Sequence, residues 1–219
     1  MSLHPLQESL RAGMHALGMS VDEGQLRQLL AYLDLLAQWN KVFNLTAVRN
    51  PQDMLTHHLL DSLSVVTPLR RHTHGRAVKL LDVGSGGGLP GVTIAICCPE
   101  IDVTCVDAVA KKTAFIQQVS GALVLPNLHA RHARVETISQ PHDVIVSRAF
   151  AALPDFTAWS AGALAPDGVW LAMKGKHPND ELAALPENVE VFHVEPLQVP
   201  GLDAERCLVW MRQRKATAI

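Results

Sequence analysis

Between Asp22 and Val42, Leu26, Leu29, Leu30, Leu33, Leu36 and Ala37 fall three and four residues apart, an amphipathic stripe that predicts a long helix. A shorter helix is predicted over Leu6–Leu17, stopped by Gly18. A third is predicted from Pro51 to Val66, with Asn50 as N-cap, Pro51 at the first helical position and Pro68 beyond the end. "RRHTHGR", Arg70–Arg76, reads as a polar linker. After Arg76 the pattern changes to short apolar runs alternating with helical stretches. Strands are predicted at Val78–Val83, Val103–Asp107, Leu128–Ala130, Val144–Ser147, Val169–Met173, Val189–Glu195 and Cys207–Arg212. Helices are predicted between the first five, at Pro90–Cys98, Lys111–Leu123, Arg134–Ile138 and Leu153–Leu164. This alternation implies a parallel sheet with right-handed crossovers. Only "PLQVPGLDAER" separates the last two strands, so they should pair antiparallel. The pattern therefore predicts a helical cap over residues 1–70 and a seven-stranded, mostly parallel α/β domain over 71–219.

Composition narrows what such a chain can do. Of 219 residues, 48% are hydrophobic and 18% charged, which supports a packed core. The net charge of −2 means that any nucleic-acid footprint must be local. No run reaches the roughly 18 apolar residues of a membrane span, and "MSLHPLQESL" lacks a signal-peptide core. A cytoplasmic protein, probing no membrane, is expected. Cys97, Cys98, Cys105 and Cys207 form no C-x-x-C pair and read as buried reduced thiols. The eleven histidines lack a zinc spacing, so no metal is expected.

"LLDVGSGGGLPG", Leu80–Gly91, sits where the first strand turns into a helix. Glycines there reach positive φ without strain and let a ligand approach the backbone. In a doubly wound sheet this turn lies at the strand's carboxyl end, where ligands bind. Gly84, Gly86 and Gly88 give G-x-G-x-G, whereas a dinucleotide fingerprint needs glycine at position 89, which is Leu89. Pro90 also removes an N–H that would serve a pyrophosphate. The second strand ends at Asp107, 23 residues after Gly84, close to where a carboxylate grips ribose hydroxyls; the alternative is a surface aspartate that caps the next helix. After the third strand, Glu136 or the backbone beside Val135 can read an adenine edge, or Glu136 is a plain helix-start acid. Together these describe a nucleoside pocket without a phosphate grip, which suits S-adenosylmethionine.

Several segments resemble one family. "WNKVFNLTA" (Trp39–Ala47), "HLLDSL" (His58–Leu63), "LLDVGSGGGLPG", "VSRAF" (Val146–Phe150), "MKG" (Met173–Gly175) and "LQVPGLDAERCLV" (Leu197–Val209) look like the ribosomal RNA small-subunit methyltransferase G family, also called glucose-inhibited division protein B. The match covers nearly the whole chain in order. The resemblance implies a class I S-adenosylmethionine-dependent methyltransferase, Rossmann-like, acting on N7 of a guanosine in the 530 loop of 16S ribosomal RNA. By position, the family's cofactor residues fall on Gly84, Leu89, Val135, Glu136 and Arg148. The chain departs from the family at His57, where Lys or Arg is usual, and at Gly87, where Ala or Pro is usual.

Guanine N7 carries an exposed lone pair and needs no deprotonation, so no general base is expected and alignment is the main task. Consistent with this, the chain after the fourth strand reads "SRAF" and not the Asn/Asp-Pro-Pro-aromatic clamp of an exocyclic-amine methyltransferase. Arg148 can hold the cofactor's carboxylate, or guanine O6 and a phosphate, or a structural ion pair. Phe150 is a candidate to stack on the target base or to fill the core. Lys174 and Lys176 can touch RNA phosphates or flank a solvated turn. Arg70, Arg71, Arg76, Lys111, Lys112, Arg131 and Arg134 are candidates for a basic rim. Asn40 and Asn44, one turn apart, either fix the N-terminal helices against the cofactor mouth or cap a helix. The expected partner is 16S rRNA or the small subunit, met by a monomer. The rival readings are the same fold acting on another RNA or a small molecule, and a non-catalytic nucleotide-binding regulatory module.

Overall fold

The computed structural model describes residues 4–20 and 22–215. Helix α1 spans Gln7–Ala16 and α2 Glu23–Phe43; Asp22 caps α2 by accepting from the Gln25 N–H at 2.7 Å. Asn44 closes α2 in the left-handed region at φ 48°. Helix α3 (Pro51–Met54) starts as its sequence predicts, with the Asn50 side chain accepting from the Gln52 and Asp53 N–H groups. It then widens into a π-helical stretch, Leu55–Leu60, before α4, Asp61–Leu63. The predicted third helix thus ends at Leu63, short of Val66; a further helix, α5, Val66–Thr73, runs through Pro68 and takes in Arg70–Thr73 of the predicted linker, which corrects the linker reading. Pro68 sits in the first turn of α5, where its missing N–H has no intrahelical partner to lose.

The remaining elements are β1 (Lys79–Val83), α6 (Gly91–Cys97), β2 (Asp102–Asp107), α7 (Ala110–Ala122), β3 (Leu128–His132), a 3-10 turn (Val135–Thr137), β4 (His142–Arg148), α8 (Leu153–Ser160), a second 3-10 turn (Ala161–Ala163), β5 (Leu164–Lys174), α9 (Asn179–Ala183), β6 (Val189–Leu197) and β7 (Arg206–Gln213). Two differences from the sequence pattern stand out. Leu164 begins β5 instead of ending a helix, and α9 was not predicted; its five residues are too few to show a helical stripe.

The seven strands lie in the order β3-β2-β1-β4-β5-β7-β6. All neighbours are parallel except at β7, which runs antiparallel to both β5 and β6. Between β1 and β4 the order reverses, and ligands of such sheets bind at that point, beyond the carboxyl ends. Because β7 is reversed, its first residue, Arg206, stands at this same edge: Cys207 pairs with Lys174, the last residue of β5.

The N-terminal helices share a core with one face of the sheet. A single cluster of buried residues joins Leu10, Leu29, Leu36 and Leu59 to Ile94, Val103, Phe115 and Trp210. Polar ties reinforce it: Gln25 donates to the carbonyls of Ile96 and Cys97, and Gln28 to that of Leu123. The fully buried Tyr32 donates its hydroxyl to the Gly87 carbonyl at 2.6 Å, in the glycine loop itself.

Candidate active site

The turn after β1 opens onto a cleft of about 420 Å³. Its wall takes Val83 and Gly84 from the end of β1, Val106, Asp107 and Ala108 from the end of β2, Ala133–Glu136 after β3, and Ala149 and Phe150 after β4. Trp159 closes one side from α8. Gly84 holds φ +66°, and any Cβ there would fall on the Phe150 ring. Gly86 holds φ +58° and faces open space, its nearest heavy atom on that side being the Gly84 carbonyl oxygen at 3.9 Å. The loop thus presents backbone where a side chain would block the approach.

Asp107 is buried and anchored from three sides. Its Oδ2 accepts from the Gly86 N–H at 3.0 Å and pairs with Lys112 Nζ at 3.3 Å, and its Oδ1 accepts from the Val109 N–H at 2.9 Å. These bonds fix the carboxylate at the rim, where the spacing from the glycine loop predicts it. Deeper in, Asp82 accepts from the Gly91 N–H at 2.8 Å, while its Oδ1 is buried without a hydrogen bond. Burial in this setting pushes the Asp82 carboxyl up to about 7, and burial also raises the neighbouring Cys105 thiol.

A second cleft, of about 400 Å³, adjoins the first and shares Ala149 with it. Ala149 sits at φ 54°, a left-handed conformation costly for a residue with a Cβ. Here the wall is charged. Asp61, buried, accepts from Arg148 Nη1 at 2.8 Å and from Arg206 Nε at 2.8 Å, so one carboxylate holds two guanidiniums. Arg148 Nη1 also donates to the His57 carbonyl at 3.0 Å. Both groups that hold Arg148 come from the π-helical stretch or its end, a winding often found at functional sites. His58 lines this cleft too; burial, with the Arg148 charge, lowers its imidazole to about 4 and keeps it neutral.

The structure thus distributes the predicted residues over two clefts. Gly84, Asp107, Val135, Glu136 and Phe150 line the first, with Gly86 bonded to its rim. Leu89 is buried behind the loop, its N–H donating to the Ser85 carbonyl at 3.0 Å, and lines neither cleft. Arg148 and Lys174 line the second. Lys174 spends its ammonium on Glu181 at 2.7 Å and the Ala151 carbonyl at 2.8 Å, while Glu181 also accepts from the Leu153 N–H at 2.6 Å. Those bonds hold the segment that carries Phe150. Of the basic rim, Lys112 and Arg134 reach the first cleft. Arg70, Arg71 and Arg76 do not: α5 turns Arg70 to the Cys97 carbonyl and Arg71 to Glu195, and Arg76, just after the helix, donates to the Thr73 carbonyl. Asn44 is the C-cap of α2, and Asn40 fixes the next loop through the Thr46 N–H and the Val48 carbonyl. Sequence reasoning missed Arg206 and Asp61. The antiparallel pairing of β7 was the available signal for Arg206. Among the described residues there is no group of three His, Cys, Asp or Glu side chains arranged to hold a metal, and no helix long and apolar enough to cross a membrane.

Comparison with known proteins agrees with this geometry. The family model described as rRNA small subunit methyltransferase G matches residues 25–209. Ribosomal RNA small subunit methyltransferase G of Acidovorax ebreus (strain TPSY) is 66% identical over 215 residues, covering 94% of this chain and 95% of that protein. The protein of the same name from Polaromonas naphthalenivorans (strain CJ2) is 62% identical over 211 residues, 94% of this chain and 96% of that one. Among solved structures, N-methyltransferase NodS from Bradyrhizobium japonicum WM9 with S-adenosyl-l-homocysteine superposes with a TM-score of 0.60 at 15% identity, over 83% of this chain and 100% of that chain. A 1,6-didemethyltoxoflavin-N1-methyltransferase from Burkholderia thailandensis gives 0.58 at 14%, over 84% and 89%. At such identities the likeness shows the fold, that of class I S-adenosylmethionine methyltransferases. By its match along most of its length and its identity to these relatives, the chain belongs to the rRNA small subunit methyltransferase G family.

Proposed function

We propose that this chain transfers a methyl group from S-adenosylmethionine to N7 of a guanosine in the 530 loop of 16S ribosomal RNA, acting as a monomer in the cytoplasm. Methyl transfer to ribosomal RNA follows from the family; the atom, the loop, the compartment and the monomer are our reading. The observation that carries the reading is the junction at Ala149: a backbone-lined cleft fit for a nucleoside meets a cationic cleft fit for a nucleotide.

The cofactor fits the first cleft on this structure's own features. Its volume is in the range of small-molecule sites. Its floor is a glycine turn with open space above Gly86, and an anchored carboxylate stands at the rim. Asp107 would take the ribose hydroxyls, Val135 and Glu136 the adenine edge, and Gly84 and Gly86 the methionine part, with Leu89 shaping the loop from behind. When bound, S-adenosylmethionine supplies an electrophilic methyl group. Phe150 would stack on the target base at the junction. Arg148, held by Asp61 and the His57 carbonyl, keeps further N–H donors for guanine O6, an adjacent phosphate or the cofactor carboxylate. The neutral His58 beside it adds no charge to the base. A lone pair at N7 needs no proton removed, so the residues' task is alignment, which can supply about 7–11 kcal/mol.

The test is a nucleoside map of 16S rRNA from a strain lacking the gene. N7-methylguanosine should be missing at one position of the 530 loop and return when purified protein and S-adenosylmethionine are added to its small subunits. A map identical to that of the parent strain would overturn the reading.

A further inference from the structure

We propose that the end of α2 and the loop after it, Lys41 to Arg49, form a docking strip for a single-stranded stretch of the RNA, with Phe43 stacked on a base near the target. The proposal rests on the function given above and adds the surface by which the substrate is held.

Three of the six large apolar residues exposed among the described residues gather at one junction: Val42 at 70%, Phe43 at 38% and Val109 at 39%. Helices α2 and α7 pack side by side and antiparallel, and the junction is where the end of α2 lies beside the start of α7. Trp39 packs on Phe115 with ring centroids 5.4 Å apart, and one turn on, Lys111 Nζ donates to the Phe43 carbonyl at 2.9 Å. Helix α7 begins three residues after Asp107, so this corner borders the ribose side of the first cleft. Phe43 packs on Trp39 with centroids 4.9 Å apart and the rings tilted by 36°, and its other side stays partly open.

The loop that follows leads to the second cleft. Thr46 Oγ1 lies 2.6 Å from Nε2 of His58, a residue of that cleft. Asn40 holds the loop through the Thr46 N–H at 2.8 Å and the Val48 carbonyl at 3.0 Å, and Arg49 donates to Asn44 at 3.2 Å. The strip therefore runs, already ordered, from one cleft to the other.

Its charge selects the occupant. Some surface cations elsewhere are neutralised by carboxylates: Arg11 by Glu23, Arg71 by Glu195, Arg212 by Glu190, Lys215 by Asp167. Lys41, Arg49 and Lys111 have no carboxylate within ion-pair distance among the described residues; Lys111 and Arg49 bond neutral oxygens instead. An exposed aromatic among unneutralised cations is the composition that binds unstacked nucleotides.

Phe43→Leu keeps an apolar side chain on Trp39 and removes the stacking face. With naked 16S rRNA as substrate, it should raise the KM for RNA about tenfold while leaving S-adenosylmethionine affinity unchanged. Phe43→Tyr should restore the wild-type KM. Lys41→Ala should reduce the slope of RNA affinity against salt by about one unit. Wild-type KM in Phe43→Leu and a wild-type slope in Lys41→Ala would overturn the strip. So would a defect seen on assembled small subunits and not on naked rRNA, because the surface would then meet a ribosomal protein. Failure of the wild type to methylate any rRNA would instead overturn the function on which the proposal rests.

Discussion

The two clefts that meet at Ala149 are built by opposite means. The first takes its shape from backbone: Gly84, Gly86 and the ends of β1 and β2, with one anchored carboxylate at Asp107. Its residues come mostly from the ends of β1, β2, β3 and β4, because successive strands of a parallel sheet end at one edge. The second takes its shape from charge: Arg148 from β4, Arg206 from β7, Lys174 from β5 and Asp61 from the N-terminal helices. Its two arginines would repel each other without Asp61. A backbone cleft tolerates no added side chain; a charged cleft tolerates no lost partner. On the function proposed above, the first would enclose a cofactor of fixed shape and the second would attract an anionic polymer.

The sharpest way to break the first cleft is Gly84→Val. The new side chain would sit at φ +66° and strike the Phe150 ring, so S-adenosylmethionine binding by calorimetry should vanish. Retained affinity would show that the loop is not the cofactor's floor.

Asp61→Ala addresses the second cleft. Leaving Arg148 and Arg206 without their shared carboxylate should destabilise the fold by about 3 kcal/mol in urea unfolding. Cofactor affinity of the same variant then separates the roles of Arg148. A tenfold loss assigns it to the cofactor's carboxylate, and no change assigns it to RNA.

The clefts also differ in how protons act on them. Unfolded, His58 titrates near 6.5; folded, near 4, so stability falls as pH drops through that window. Asp82 loses its proton near 4 unfolded and near 7 folded, so stability falls as pH rises through that window. The two slopes oppose each other below about pH 6.5. Relative to wild type, His58→Gln should give a urea midpoint that declines more steeply from pH 4 to 7, and Asp82→Asn one that rises from pH 4 to 6.5. Identical pH profiles for all three proteins would show that neither group is perturbed.

The smallest effect should come from Tyr32→Phe, which removes the hydrogen bond to Gly87 and leaves the ring in place. It should cost about 1 kcal/mol of stability and weaken S-adenosylmethionine several-fold, with KM for RNA unchanged. An unchanged cofactor affinity would mean that α2 supports the fold without shaping the loop.

What the chain shows on its own is what local physics writes into short segments. The leucine stripe of α2, the N-cap at Asn50, the strand-helix alternation, and the spacing from Gly84 to Asp107 and Val135–Glu136 are all readable, because helix period, strand period and the glycine turn depend on near neighbours. The first cleft followed from that alone, since a parallel sheet brings successive strand ends together. Tertiary structure decided the rest. Asp61 and Arg206 are 145 residues apart and are joined by an ion pair that leaves no trace in spacing. Lys174, read as a candidate phosphate contact, is engaged by Glu181 on a helix too short to predict. The helix through Pro68 ignores a local stop because Pro68 falls in its first turn, and α5 thereby turns Arg70 and Arg71 to Cys97 and Glu195. Charge pairing and burial depend on which surfaces meet, and no local pattern encodes that.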